Sequence, residues 1–218
     1  MKNNLTIIIA HFKLRDNNIN PLIKTLEIIE QQKSNFNIEI IIADDGSFYS
    51  KELSINYSKK INFKNDNREL FIIENGKLKD WIKTLNIKTD NIKKWIYLPK
   101  IKSCMSKSKL LNYATKLSKY DHLLFLDDDN YFISENTIKN ILQLFKKYDI
   151  IFGQIKDNSN RLRKYSSKRV QGTTFGLKKK IIDEIDGFGE WTENISCGFD
   201  SDLWIRLFKY YNKNKKIR

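Results

Sequence analysis

At 218 residues and 40% hydrophobic content, the chain is long enough for one sizeable α/β core and short for two domains of ordinary size. No apolar run reaches the roughly eighteen residues of a membrane span, and no charged-then-apolar leader precedes the first strand pattern. The formal charge of +14 brings phosphorylated substrates, anionic membrane and nucleic acid into view, whereas two isolated cysteines, Cys104 and Cys197, exclude a zinc ribbon or a disulfide framework and fit a reducing, cytoplasmic setting.

Leu5 to Ala10 is β-branched and almost wholly apolar, which predicts a first strand buried on both faces. Pro21 opens a helix with Leu22, Ile23, Leu26 and Ile29 at helical spacing, running to about Gln32. A second buried strand, Ile38 to Ala43, ends in Asp44-Asp45-Gly46-Ser47. Strand, helix and strand form a βαβ unit, whose crossover is right-handed and whose sheet binds ligands beyond the carboxyl ends of its strands.

Residues 48–60 read as a short irregular helix and Glu69 to Ile73 as a strand. The stretch from Glu74 to Lys94 lacks a firm period and is expected to be a loop contributing to a substrate lid. Trp95 to Leu98 is a strand stopped by Pro99. Leu110, Leu111, Ala114 and Leu117 then mark a helix over 106–118. The central strand follows, His122 to Leu126, and it ends abruptly in Asp127-Asp128-Asp129. Three adjacent carboxylates disfavour one another's ionisation unless a cation lies between them, and oxygen-only ligands suit Mg²⁺ or Mn²⁺. An exposed acidic turn is the competing reading.

Downstream, Ser134 and Glu135 are expected to cap a helix with the stripe Ile138, Ile141, Leu142, Phe145. Ile150 to Gln154 is a predicted strand, followed by a basic loop to Arg169, a strand over Gln171 to Gly176, a short helix near Lys178 to Ile185 and a final helix from Phe199 to Tyr211. The clusters Arg161 to Lys164, Lys178 to Lys180 and Lys213 to Arg218 read first as solvated faces or a frayed tail.

In this order, the first strand, the Asp-Asp-Gly-Ser turn, a lysine-bearing helix with Leu111-Asn112, a strand ending in Asp-x-Asp and a late Asp at a helix start resemble the inverting glycosyltransferases of family 2. The resemblance spans about residues 5–210 and implies a single GT-A domain, α/β, with a Rossmann-like mostly parallel sheet flanked by helices. It implies a nucleotide-sugar-binding half over about 1–130, an acceptor-binding half over about 131–211 and a basic tail at 212–218.

Carried onto this sequence, the resemblance implies that Asp45 contacts the base of a nucleotide-sugar and that Asp44 shapes the same turn and approaches the ribose. A carboxylate suits both tasks because it accepts from a uracil N–H or from ribose hydroxyls. The competing role is a helix N-cap. Asp129 is implied as a Mn²⁺ or Mg²⁺ ligand, with Asp127 near the ribose and the ion and Asp128 beside them. The ion would neutralise the leaving diphosphate, and Lys107 would add a second positive contact.

Within Cys197-Gly198-Phe199-Asp200-Ser201-Asp202, Asp200 is implied as the general base that takes the acceptor's proton, with Asp202 the alternative. Phe199 departs from the family pattern, which has Glu there. Ala10-His11-Phe12-Lys13 also departs from the usual first-strand exit, with Ala10 and His11 expected to line the donor pocket. Trp191 is expected to stack on an acceptor sugar, unless it is a core tryptophan.

The processive-synthase signature Gln-x-x-Arg-Trp is absent, so transfer of a single hexosyl or N-acetylhexosaminyl group, from a donor such as a UDP-sugar to a glycan or lipid-linked acceptor of surface polysaccharide synthesis, is expected. The basic tail suggests peripheral contact with anionic lipid at the inner face of a membrane. A sugar nucleotidyltransferase is the rival enzyme, but such enzymes carry a glycine-rich loop after the first strand, and here no glycine precedes Gly46. A nucleic-acid-binding module explains the charge and leaves the acid-tipped strands unexplained, so no nucleic acid partner is expected.

Overall fold

The computed structural model describes residues 4–14, 20–32, 36–64, 66–101, 104–157, 159–163 and 172–214. The strands are β1 (Asn4–His11), β2 (Asn37–Asp44), β3 (Lys59–Asn62), β4 (Glu69–Glu74), β5 (Ile92–Tyr97), β6 (His122–Asp127), β7 (Ile150–Phe152) and β8 (Thr174–Lys178). The helices are α1 (Pro21–Glu30), α2 (Asn75–Thr84), α3 (Lys107–Leu117), α4 (Thr137–Phe145), α5 (Lys179–Glu184), α6 (Thr192–Ile195) and α7 (Phe199–Asn214).

One eight-stranded sheet, in the order β3-β4-β5-β2-β1-β6-β8-β7, runs through the molecule. Its centre, β5-β2-β1-β6, is parallel, and only β4 and β8 run against the common direction. This is the expected α/β architecture. The chain builds outward from β1 to β2 on one side and later returns to add β6 on the other, so the strand order reverses at β1. Open parallel sheets leave a ligand crevice at the carboxyl ends of such a switch point.

The β1 sequence shows why both faces are covered. Ile7 and Ile9 point into one apolar layer with Ile40, Ile42, Leu22 and Leu26, while Ile8 points into the other with Ile41, Leu110 and Ala114. That alternation follows the two-residue period of a strand. Pro21 occupies the first helical position of α1, as the sequence predicts, and the Asn20 side chain caps the helix by accepting from the Leu22 N–H.

Three expectations are corrected. The stretch expected to be a lid loop contains α2, whose Leu78, Trp81 and Ile82 are buried at helical spacing against β4 and β5, so it is a core helix. Asn75, at positive φ, and Gly76 at its start hide that period. The irregular helix expected over 48–60 is a 3-10 segment at Phe48–Ser54, followed by the edge strand β3. Finally, α4 starts at Thr137. Ser134 caps the preceding turn, its hydroxyl accepting from Asn136 N–H at 3.3 Å, and Glu135 lies before the helix. The tail residues 215–218, together with Lys164 and Gln171, lie outside the described residues.

Candidate functional site

Both acidic turns hang from the end of β1. The Asp45 N–H donates to the His11 carbonyl at 2.9 Å, and the Asp128 N–H donates to the Ala10 carbonyl at 3.1 Å. The two acid clusters therefore flank one strand end on the same edge of the sheet. Asp44 is fully buried. It accepts from Ser47 N–H at 2.8 Å and from the Trp95 indole at 3.1 Å, which shapes the turn and turns its carboxylate inward, away from the edge. Gly46 completes the turn at φ +78°, and a Cβ there would lie 2.5 Å from the Lys100 backbone, so only glycine fits.

Asp45 keeps one oxygen committed and one open. Its Oδ2 accepts from Lys100 Nζ at 2.5 Å and from Ser106 N–H at 3.1 Å, while the buried Oδ1 has no hydrogen-bond partner among the described residues. Burial pushes its pKa up, against the pull of Lys100 and Ser106. An acceptor in that state is costly to leave unsatisfied, and a ligand N–H or O–H would satisfy it.

The three aspartates of β6 separate by task. Asp128 Oδ2 lies 2.5 Å from His11 Nδ1, and His11 Nε2 lies 2.6 Å from the Tyr49 hydroxyl. Burial, then the Asp44 charge, raises the Tyr49 pKa, so the phenol keeps its proton. The Tyr49 hydroxyl, His11 and Asp128 form one hydrogen-bonded row. The buried His11 and the partly buried Asp128 thus serve as a brace, and Ala10 contributes its carbonyl.

The flanking aspartates remain. Asp127 pairs with Lys107; burial raises its pKa, Lys107 opposes this, and the Asp129 and Asp128 charges add to the rise. Asp129 is exposed, with the Asn130 amide 3.3 Å away. Hard carboxylate oxygens with excess local negative charge fit a divalent cation. No set of three ligating side chains occurs among the described residues, so such an ion would take one or two oxygens from Asp129 and Asp127, with the rest from water and phosphate.

The late acid joins this group through Gly172. Lys107 Nζ donates to the Gly172 carbonyl at 3.1 Å, and the Gly172 N–H donates to Asp200 Oδ1 at 2.9 Å. A Cβ at Gly172 would fall 2.5 Å from that oxygen and 2.4 Å from the Phe199 ring, so the contact needs glycine. Phe199 packs into the ring cluster of Phe175 and Phe188, a core task that an ionised glutamate could not perform. Asp202 is buried and accepts from Gly189 N–H, the Trp191 indole and Arg206 at 2.7–3.0 Å. With three donors it is a brace, and it holds Trp191, which is half exposed.

Sequence reasoning missed Lys100, Ser106, Arg68 and Glu193. Lys100 was signalled by Pro99, which ends a strand parallel to β2 at the same edge. Arg68, Lys109, Asp66 and Glu193 form a four-charge cluster in which Lys109 and Glu193 are buried and Asp66 and Arg68 partly so, and Arg68 had no local sequence signal. Burial alone would raise the Glu193 pKa, but Ser106 and Arg68 outweigh it and lower it; Asp66 is held well below the usual range, first by Arg68. Both folded pKa values lie under the unfolded ones, so their stabilisation is present above about pH 4 and is lost as pH falls through the folded values. Urea midpoints measured from pH 6 to pH 2 should fall across the lower part of that range. A Glu193→Gln, Asp66→Asn chain should show a shallower decline.

Two grooves, of about 570 Å³ between α5 and α7 and about 730 Å³ beside α2, are lined by neither Asp45, Asp127 nor Asp200.

By sequence alone, no family model and no curated protein matches the chain. Solved structures do. The mannosyltransferase PcManGT of Pyrobaculum calidifontis, in complex with GDP-Man and Mn²⁺, aligns with TM-score 0.58 and 14% identity, covering 94% of this chain and 51% of that one. S. aureus TarS 1-349 in complex with UDP-GlcNAc aligns with TM-score 0.54 and 17% identity, covering 87% and 49%. The fold is of the GT-A type.

The chain spans about half the length of these glycosyltransferases. A 4-diphosphocytidyl-2C-methyl-D-erythritol synthase of Anaerococcus prevotii also aligns, with TM-score 0.50 and 16% identity, covering 95% of this chain and 84% of that one. Among the described residues no helix is long and apolar enough to cross a membrane.

Proposed function

We propose that the chain is a metal-dependent inverting glycosyltransferase of family 2 type, moving one sugar from a nucleotide-sugar to a glycan or lipid-linked acceptor. The observation that carries this reading is the pair of acid turns on successive carbonyls of β1, one offering the unsatisfied Asp45 Oδ1 and the other Asp127 and Asp129. Asp45 Oδ1 accepts from a nucleobase N–H such as that of uracil. Lys107 offsets part of the diphosphate's charge, and Asp129 and Asp127 would hold a Mn²⁺ or Mg²⁺ ion, which would supply leaving-group stabilisation. Asp200 takes the acceptor hydroxyl's proton with its second oxygen, the first being held by Gly172, and Trp191 offers a stacking face.

The solved neighbours support this reading because their complexes hold GDP-Man with Mn²⁺ and UDP-GlcNAc. The nucleotidyltransferase reading has a neighbour as well. It fits less, because the first-strand exit carries no glycine loop and its carbonyls are occupied by the two acid turns.

A thermal-shift panel of UDP-, GDP- and CDP-linked compounds with and without Mn²⁺ tests the proposal. One nucleotide-sugar should stabilise the chain only with metal, by about 2.7 kcal/mol at a hundredfold excess over Kd. Asp129→Asn should abolish that metal dependence. Equal stabilisation without metal, or none by any nucleotide-sugar, would sink the reading.

A further inference from the structure

Ser106, directly before α3, is fully buried and touches both halves of the site. Its N–H donates to Asp45 Oδ2 at 3.1 Å, while its hydroxyl donates to Glu193 Oε1 at 2.5 Å and accepts from Arg68 Nη1 at 2.8 Å. Both the proton and a lone pair of this hydroxyl are therefore committed. Glu193 lies on α6, two residues after Trp191, and is itself fixed by Arg68 and by Lys109 at 3.2 Å. A second link, Ser108 Oγ to Thr192 Oγ1 at 2.8 Å, joins α3 to α6.

Asp66 closes the cluster by accepting from Arg68 and Lys109 at 2.6 Å each. Two cations and two anions are thus largely withdrawn from water beside a single serine. Apolar residues would hold α6 against α3 at lower desolvation cost, so packing alone does not account for the cluster.

We infer that Glu193, acting through Ser106 and anchored by Arg68, is a positioning residue that couples the acceptor-side segment at Trp191 to the aim of the Asp45 carboxylate. The inference rests on the reading of Asp45 as the nucleoside contact. A displacement of α6 moves Glu193, Glu193 carries the Ser106 hydroxyl, and the Ser106 N–H sets which Asp45 oxygen stays open. Binding at the two sites is then linked, and by reciprocity each ligand strengthens the other.

Two measurements test this. In a double-mutant cycle, Asp45→Asn and Glu193→Gln should be non-additive in the urea-unfolding constant by at least about threefold, although their side chains share only Ser106. Additivity would overturn the coupling. In calorimetric titrations of UDP with Mn²⁺, Glu193→Gln and the milder Ser106→Ala should raise the UDP Kd about 5- to 50-fold without touching the nucleotide. Leu78→Ala, a core truncation in α2, should lower the melting temperature and leave that Kd unchanged.

Wild-type UDP affinity in a folded Glu193→Gln chain would also overturn the inference, because a purely structural cluster alters stability alone. If the wild-type chain binds none of the UDP-, GDP- and CDP-linked compounds, the functional proposal fails, and the stability cycle by itself decides whether Glu193 and Asp45 are coupled.

Discussion

Replacing Asp200 with asparagine is expected to cut sugar transfer by about 10²- to 10⁴-fold, the usual worth of a positioned general base, while UDP affinity and melting temperature stay near wild type. The substitution is nearly isosteric, and the amide oxygen can still accept from Gly172 N–H, so the loop before β8 stays in place. What is lost is the anionic oxygen proposed to take the proton.

Asp202→Asn should behave in the opposite way. Its carboxylate serves Gly189, Trp191 and Arg206, so stability should fall and turnover should change less. Steady-state rates set beside melting curves separate the two acids. An Asp200→Asn chain with wild-type turnover would remove Asp200 from the chemistry.

Trp95→Ala is expected to be the most destabilising single truncation near the site. The indole is fully buried among Trp81, Tyr49 and His11, and its N–H is one of two donors to the buried Asp44 carboxylate. Tryptophan-to-alanine changes in cores cost about 3–5 kcal/mol. For a chain of this length that is a fall of roughly 6–20 °C in melting temperature. Trp95→Phe keeps most of the volume and removes only the N–H, so calorimetry should find a loss of about 1–3 kcal/mol, the cost of the lost donor to Asp44. Similar losses for both variants would mean that the hydrogen bond, not the ring, carries the stability.

Much of the fold was legible because its signals are local. Continuous apolar runs named β1, β2 and β6, and the Asp44-Asp45 and Asp127 to Asp129 breaks marked the candidate site at their ends. α2 was missed because Asn75 and Gly76 mask the start of a period that Leu78, Trp81 and Ile82 then keep.

Within the site, residue identity told which acids were present but not which were spoken for. Asp44, Asp128 and Asp202 look like their neighbours in the chain. Only tertiary partners, the Trp95 indole, His11 and Arg206, show that each is a brace. Glu193 and Arg68 are 125 residues apart and bear no pattern that would pair them.

The spacing of the two acid turns has a further consequence. Because they are pinned to adjacent carbonyls that face β2 on one side and β6 on the other, one peptide unit of β1, about 3.3 Å of rise, fixes their offset along the strand, and two interstrand spacings of about 4.8 Å each set the lateral gap. Loop insertions elsewhere leave that spacing unaltered. A one-residue insertion within β1 would rotate the strand's faces and hand each turn the wrong carbonyl.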